Sequence, residues 1–256
     1  RPPLRPGELI RPERPNHVWA VDHKGWITLR NGQRCEPLTL ADTYSRFLLA
    51  LSCGDSTREA QARPVMERAF REYGLPEVIR SDNGQPFASA STTGLSALSV
   101  WWITLGIHPE RITPGRPQEN GRLERFHLTL LEAMRPPAAS RSAQARRFEL
   151  FRQDYNHQRP HQALGQSEPA SFYQPSPRAM PSRRPEPDYP SDRIIRKVRT
   201  NGEIKLGGDM IHISSALAGH AVALQQIERG WCVWFYKEPI GLLDHKGRKL
   251  LPIQPG

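Results

Sequence analysis

The sequence predicts an α/β domain followed by a small all-β domain. Three strand-like runs precede a helix, a further short strand and a helix that carries an acid. A proline-rich stretch then separates this part from several short β-like runs with regular turn signals. With 256 residues, 37% of them hydrophobic, the chain is long enough for one sizeable core and a smaller one.

The first strands are predicted from apolar runs and turn signals. Asp22 lies within a long apolar run, and Asn31-Gly32 after it favours a tight hairpin turn. The segment from Asp42 to Arg46 is expected to turn between the next two strands. Together these runs predict three antiparallel strands at the start of the domain. The predicted strands are 17–29, 36–41 and 47–52.

Helical signals follow these strands. Ser56 or Thr57 is expected to cap a helix that ends at Gly74. Beyond Gly115, apolar residues recur at helical spacing and give the helix that carries Glu124 a buried face. The first predicted helix ends at Tyr73. The second spans 95–105, the third begins at 117 and the fourth spans 140–156. Short strands are expected at 77–82 and 106–113. The apolar face beside Glu124 consists of Leu123, Phe126, Leu130 and Met134.

The formal net charge of +10 is unevenly distributed. Residues 22–134 are balanced, so the flanking segments carry the excess, and most basic residues are Arg, whose planar fork pairs with phosphate oxygens. This pattern favours a polyanion held by the flanks and processed by the centre. The alternative interpretation is codon bias with a solvated basic surface.

Other classes of protein are disfavoured by composition. No run approaches the roughly 18 apolar residues of a membrane span, so no membrane partner is expected. Three cysteines are too few and too scattered for a disulfide framework or a thiolate zinc site. A reducing, cytoplasmic setting is expected. The chain starts at Arg1 without a signal peptide, and we expect it to be a fragment of a longer protein.

Three carboxylates occupy positions that could converge. Asp22 lies within the first strand, Asp82 ends the fourth, and Glu124 lies on a helix. If the first and fourth strands are neighbours, the two aspartates meet and the helix can bring Glu124 to them. Such a cluster repels itself unless cations neutralise it, and Mg²⁺ takes carboxylate and phosphate oxygens. Two ions would promote in-line displacement at phosphorus. Asp42, the nearest rival, is expected to form a turn.

Four motifs resemble those of the retroviral-integrase superfamily, and in particular its bacterial insertion-sequence transposases. WAVD at 19–22 is similar to the W-x-x-D opening, and SDNGQPF at 81–87 to SDNG-x-x-F. PQENGRLE at 117–124 resembles PQ-x-x-G-x-x-E. YNHQRPHQAL at 155–164, followed by EPA at 168–170, is similar to the transposase tail signature. Four motifs in this order make the resemblance specific.

The resemblance implies an RNase H-like fold with a mixed five-stranded sheet flanked by helices. It also implies that Asp22, Asp82 and Glu124 are the catalytic and metal-binding triad of a DNA transposase that uses Mg²⁺ or Mn²⁺, with two ions, for 3′-end cleavage and strand transfer. The expected setting is the bacterial nucleoid. The predicted segments are a basic arm at 1–15, the catalytic core at 16–174, a linker at 175–190 that spans about 50 Å if extended, and a small SH3-like β-barrel at 191–256 for DNA binding or assembly.

Several alternatives stay open. The interval from Asp82 to Glu124 is longer than usual, which we attribute to the loop at 89–94 and the helix after it, and Glu119 lies at a more typical interval. Motif alignment favours Glu124. The rival functions are a nuclease that does not join strands and a catalytically inactive DNA-binding protein. Double-stranded DNA and a homo-oligomer, at least a dimer, are the expected partners. Residues expected to contact DNA are Asn83, Arg116, Asn120, Arg122 and Arg125.

Overall fold

A computed structural model describes residues 9–228, 230–244 and 249–253. It divides into two compact units. The core unit comprises Leu9–Asn83 and Pro109–Met180, and the β-rich unit comprises Gly84–His108 together with the chain from Pro181 onward. Of the predicted N-terminal arm, residues 1–8 lie outside the described residues.

The core unit is built on a mixed sheet, as predicted. Its strands lie in the order β4-β3-β1-β5-β6, and the short β2 adds a sixth strand beside β3. β1 pairs antiparallel with β3 and parallel with β5. The mixed sheet of the prediction is therefore confirmed, and the structure adds the short β2 to its five strands. The strands are β1 (Val18–His23), β2 (Ile27–Thr28), β3 (Arg34–Asp42), β4 (Leu48–Gly54), β5 (Val78–Ser81) and β6 (His108–Arg111).

The single long first strand of the prediction is two strands in the structure. β1 ends at His23 and β2 begins at Ile27, with Gly25 between them at φ +85°. A left-handed residue interrupts the regular extended backbone, and glycine adopts that conformation at low cost. The predicted turn at Asn31-Gly32 is confirmed, since β2 and β3 form a hairpin in which the Leu29 amide donates to the Gln33 carbonyl.

Three α-helices of the core unit flank this sheet. The prediction that Ser56 or Thr57 caps the first helix is wrong: both lie in a bend, and Arg58 is the N-cap residue. Ser140 caps the last helix by accepting from the Ala143 amide. No helix within 9–228, 230–244 or 249–253 is long and apolar enough to cross a membrane. The helices are α1 (Glu59–Tyr73), α3 (Gly121–Ala133) and α4 (Arg141–His157), while α2 (Ala97–Thr104) belongs to the β-rich unit.

Cys35 on β3 and Cys53 on β4 are joined by a disulfide bond, with Cα atoms 5.3 Å apart. This bond is missing from the sequence-based prediction. The two residues are 18 positions apart, and only the antiparallel pairing of β3 with β4 brings them together. Cys232 is a buried free cysteine.

The β-rich unit has an all-β part consistent with the predicted SH3-like barrel. Five strands lie in the order β13-β12-β11-β10-β7, and β8 and β9 form a separate hairpin. The apolar residues Val100 and Ile103 of α2 join the same buried cluster as Val222 and Val233 of the sheet. The strands are β7 (Ile194–Lys197), β8 (Glu203–Leu206), β9 (Asp209–His212), β10 (Ala221–Ile227), β11 (Gly230–Phe235), β12 (Glu238–Leu243) and β13 (Leu250–Leu251).

The start of the proline-rich linker is fixed to the core unit rather than extended freely. The Ser176 amide donates to the Tyr73 carbonyl, and the Leu75 amide donates to the Arg178 carbonyl, both at 2.7 Å. We call residues 175–178 the strap. Gly74, which ends α1 at φ +76°, lies against it: a Cβ there would stand 2.5 Å from the Ser176 carbonyl oxygen. Gly74 is therefore required both by its own backbone and by the strap.

Replacing Gly74 with Ala is expected to release the strap. Gly32→Ala is the matched control, since Gly32 has φ +80° but nothing within 4 Å of its Cβ position. Left-handed backbone alone costs about 1–2 kcal/mol with a side chain, so the Gly74 variant should lose at least about 1 kcal/mol more than the control in urea unfolding. Tryptic cleavage after Arg178 should also accelerate in Gly74→Ala only. Equal losses and equal cleavage in both variants would contradict the strap's role.

Candidate active site

The parallel pairing of β1 with β5 positions the two predicted aspartates. Trp19 lies opposite Ile79, and Ala20 lies opposite Arg80. The same register, continued by two residues, puts Asp22 beside Asp82, which follows β5 directly. The sequence-based expectation that the first and fourth strands are neighbours is thus met by the structure.

Helix α3 carries the third predicted carboxylate over the sheet. Its apolar face is buried in the core unit with Ala20 of β1, which fixes the rotation of the helix about its axis. Glu124 lies in the first turn of α3 and is exposed. The predicted face of four buried residues is confirmed: Leu123, Phe126, Leu130 and Met134.

The charges of Asp82 and Glu124 act on Asp22. Burial raises the pKa of Asp22 from 3.8 to about 7, with the negative charges of Asp82 and Glu124 adding to the rise. Lys24 opposes the shift. Each like charge disfavours ionisation of its neighbour. Among the described residues, however, no group of three or more His, Cys, Asp or Glu side chains is arranged to hold a metal ion.

The raised Asp22 pKa predicts a pH-dependent stability in the presence of EDTA. Because the folded-state pKa of about 7 exceeds the ordinary 3.8, this group's stabilising contribution is fully present below about pH 4 and is lost as the pH rises through 7. A shift of that size corresponds to about 4 kcal/mol. As the pH rises from 4 to 8, the unfolding free energy of the wild type should therefore fall by a few kcal/mol relative to that of Asp22→Asn, because Asn does not titrate. Parallel profiles for the two proteins would refute the assignment.

His127, for which the sequence analysis predicts no role, is a neighbour of Asp22. Its Nδ1 lies 3.7 Å from Asp22 Oδ2, and its Nε2 lies 3.1 Å from Thr39 Oγ1. The ring is buried, and burial lowers its pKa to about 4, so it is neutral at pH 7. The signal that could have identified it is its position three residues after Glu124, on a neighbouring part of the helix surface.

The rival acids are engaged elsewhere. Glu119 closes the loop before α3: its Oε2 accepts from the Thr113 amide at 2.7 Å, and its Oε1 is 3.9 Å from Arg116. Asp42 is fully buried and accepts from Asn16 and from both the amide and the hydroxyl of Ser45. These contacts give Asp42 the turn-forming role that the sequence suggested.

Three of the five residues expected to contact DNA line one cavity, and the other two lie outside it. Asn83 is exposed near Asp82 and donates to the Ile112 carbonyl at 2.8 Å, and Arg116 is exposed in the loop before α3. The other three residues line a cavity of about 710 Å³ in the core unit, to which none of the three carboxylates contributes. These three residues are Asn120, which is buried (6% exposed), and Arg122 and Arg125, which are exposed.

Two sequence profiles, both described as "Integrase core domain", match the chain at residues 12–117 and 105–169. Together they cover more than half of it, and they contain all three carboxylates. The chain belongs to the integrase core family. The resemblance inferred from the four motifs is thereby confirmed.

Relatives in this family include insertion-sequence proteins. The chain is 30% identical over 167 residues to a 31.7 kDa protein of insertion element IS407 from Burkholderia multivorans. The match covers 64% of this chain and 58% of that protein. It is 29% identical to a 39.2 kDa protein of insertion element IS476 from Xanthomonas euvesicatoria, over 64% of this chain and 46% of that protein. These matches support the assignment to bacterial insertion-sequence transposases of the superfamily.

Viral relatives share the same core. The Pol polyprotein of feline endogenous virus ECE1 is 32% identical over half of this chain and 12% of the polyprotein. A chain of the simian T-cell lymphotropic virus intasome, solved in complex with PP2A regulatory subunit B56 gamma, matches 98% of this chain and 83% of its own length with a TM-score of 0.54 and 16% identity. This likeness shows the RNase H-like fold. The chain spans about half the length of the insertion-element relatives.

Proposed function

We propose that this integrase core protein is a DDE-type DNA transposase, with Asp22, Asp82 and Glu124 as its catalytic carboxylates. The observation that carries the proposal is the charge coupling at Asp22, whose pKa is raised by burial and by both other acids. Asp22 accepts a hydrogen bond from the His23 backbone and lies near the charge of Lys24, but these do not offset its burial and the two neighbouring acids. Three mutually repelling carboxylates suit a site that is completed by cations.

The oxygen chemistry of the three acids suits Mg²⁺ or Mn²⁺, and their side chains would have to close around the ions, because the described residues are not arranged to hold a metal. Both ions favour oxygen ligands, and the three acids would hold them together with phosphate oxygens of the substrate. When bound, two such ions would activate the attacking oxygen and stabilise the leaving one. His127 is a positioning residue in this proposal, because its neutral ring lies between Asp22 and Thr39 and limits the orientation of the carboxylate.

The reaction would proceed in two displacements at the same carboxylates. Water would attack a phosphodiester at the element's end, and the bond to the 3′ oxygen would break to leave a 3′-hydroxyl. That hydroxyl would then attack a phosphodiester of the target DNA, with the target's own 3′ oxygen as the leaving group. Asn83 and Arg116 would contact DNA beside the carboxylates, and Asn120, Arg122 and Arg125 would contact it from the cavity.

The proposal has consequences for assembly and location. Two element ends must be held together for integration, so the active form would be at least a dimer on double-stranded DNA. The all-β part of the β-rich unit, with its basic excess, would serve DNA binding or assembly. Because the substrate is DNA, the enzyme would act at the nucleoid, in the cytoplasm.

A strand-joining assay tests the function. The protein is incubated with a labelled, pre-cut 3′ end, unlabelled target DNA and Mg²⁺ or Mn²⁺, and joined products are separated from hydrolysed ones. We expect joined products. Hydrolysis of the target without joining would favour the nuclease on the same fold. Absence of both products, together with no heat of Mg²⁺ or Mn²⁺ binding in calorimetry with DNA present, would favour the inactive DNA-binding protein.

A further inference from the structure

The core unit contains a cavity of about 710 Å³ whose wall is unusually rich in arginine. Most of its wall comes from the turn between β3 and β4, the start of α3 and the segment after α4, and Ala20 of β1 and Arg80 of β5 also contribute. We call it the arginine cavity. Its arginines are Arg46, Arg80, Arg122, Arg125 and Arg159.

Most of these cations lack a carboxylate partner. Arg80 pairs with Glu110 at 2.5 Å. Within the described ranges, the guanidinium groups of the other four arginines have no carboxylate oxygen within 4.0 Å. The two acids on the cavity wall are engaged by backbone amides instead: Asp42 accepts from Asn16 and Ser45, and Glu119 accepts from Thr113.

The arginines also repel one another. Burial lowers the pKa of Arg46, and the neighbouring charges of Arg122 and Arg125 lower it further, with Tyr155 and Asp42 opposing the shift. Burial likewise lowers the pKa of Arg122, with Arg80 adding to the effect. An anion among these groups would relieve that repulsion.

One donor in the cavity wall is buried and unused. Arg46 Nε is inaccessible and has no hydrogen-bond partner among the described residues. The backbone of Arg46 is held at φ +68°, an uncommon conformation for a residue other than glycine, while its amide donates to the Asp42 carbonyl at 3.0 Å. The turn thus holds a partly buried guanidinium at the cavity, and the hydrogen-bonding capacity of its buried Nε is costly while it is unused.

We propose that the arginine cavity binds phosphate groups of a single DNA strand, at a site separate from the three carboxylates. The inference deepens the proposed function and rests on it for the identity of the polyanion. Guanidinium forks match phosphate oxygens in pairs. The volume is that of a small-molecule pocket, so it accommodates one or two nucleotides of an unpaired strand and not a duplex. Free polyphosphate shares this chemistry, and the experiment below distinguishes the two sources.

The test compares single-stranded DNA binding by full-length variants. Arg46→Gln, Arg159→Gln and the double variant remove cavity charge at residues outside the proposed catalytic set. Arg68→Gln is the matched control, because Arg68 is exposed on α1 and does not line the cavity. By fluorescence anisotropy, the double variant should bind a labelled oligonucleotide at least about tenfold more weakly, as expected for charge-assisted contacts. The control should stay within about twofold of the wild type.

Salt dependence gives a second, independent readout. Each lost phosphate contact lowers the slope of log affinity against log salt by about 0.7 for single strands. The double variant should therefore lose about 1.4 from the slope, and Arg68→Gln should lose nothing. Arg159, which is exposed, guards against misfolding at the strained Arg46 position, and circular dichroism melting of each variant checks that it is folded.

The source of the phosphate is decided by inorganic tripolyphosphate. Weaker DNA binding by the double variant, with no tripolyphosphate-induced rise in the Tm of the wild type, supports a DNA strand as the ligand. A Tm rise in the wild type that the double variant lacks, with DNA affinity equal to that of Arg68→Gln, would assign the cavity to free polyphosphate and overturn the DNA proposal. No difference from the control in either measurement overturns the site altogether.

Failure of this inference and failure of the proposed function give different results. If the wild type joins pre-cut DNA and the cavity variants bind DNA as tightly as the wild type, the phosphate site in the cavity is refuted and the transposase activity stands. A wild type that shows the cavity-dependent affinity but joins no DNA overturns the transposase activity alone.

Discussion

Glu124→Gln is expected to abolish strand joining while leaving DNA binding intact. The substitution keeps the size of the side chain but removes its negative charge, which together with that of Asp82 raises the pKa of Asp22. A carboxamide is a weaker ligand for a hard cation, and the cations would supply several kcal/mol of stabilisation to the transition state. We therefore expect joining of a pre-cut end to fall by at least about 10³-fold. DNA affinity should stay within about twofold.

Asp82→Asn should have the same effect, because Asp82 follows the strand that pairs in parallel with β1. Glu119→Gln is the matched control. Its carboxylate accepts from the Thr113 amide, and a carboxamide oxygen can accept the same bond, so joining should fall by less than about tenfold. Loss of joining in Glu119→Gln with retention in Glu124→Gln would exchange the roles of the two residues.

Much of the core could be predicted because local signals and motif order agree. The apolar run around Asp22 and the short run ending at Asp82 identify two strands, and the SDNG motif gives a reason for pairing them. The helical repeat after Gly121 correctly identifies the buried face that leaves Glu124 exposed. In each case the information lies within one turn or one strand, which is the range over which periodicity is reliable.

Features created by contacts between distant segments could not be predicted. Cys35 and Cys53 become partners only through the alignment of β3 with β4. Gly25 interrupts a run whose apolar pattern favours one continuous strand. The strap follows from hydrogen bonds to Tyr73 and Leu75, about a hundred residues earlier in the chain. None of these contacts leaves a periodic or motif-like trace in the sequence.

The arginine cavity belongs to the same class of feature. Arg122 and Arg125 were expected to contact DNA because they lie beside Glu124 in sequence. In the structure they line the cavity together with Arg46 and Arg159, which come from a turn and from the segment after α4. Helix geometry explains the separation from Glu124: neighbours in sequence are about 100° apart around a helix. Adjacency in sequence therefore does not place these side chains at the carboxylates.

The sequence analysis also did not predict a buried ion pair of the core unit that connects β5, β6 and the N-terminal segment. Arg80 on β5 and Glu110 on β6 form a contact of 2.5 Å, with side chains only 10% and 8% exposed. Arg80 also donates to the Ile10 carbonyl, and the Ile10 amide donates to Glu110, both at 2.6 Å. The pair therefore anchors the N-terminal segment to the sheet that carries Asp82.

Glu110→Gln is expected to lower the free energy of unfolding by about 3–5 kcal/mol, because it leaves the Arg80 charge buried without compensation. The double variant Arg80→Met/Glu110→Leu should lose less than this single variant, since it removes both charges and fills the space with apolar side chains. Glu67→Gln, which breaks an exposed pair with Arg71 on α1, should cost less than about 1 kcal/mol. Urea unfolding followed by tryptophan fluorescence gives these differences, and hydrogen exchange at the Ile10 amide reports release of the N-terminal segment. If the double variant were less stable than Glu110→Gln, the hydrogen bonds to Ile10, and not the burial of charge, would be the dominant contribution of this pair.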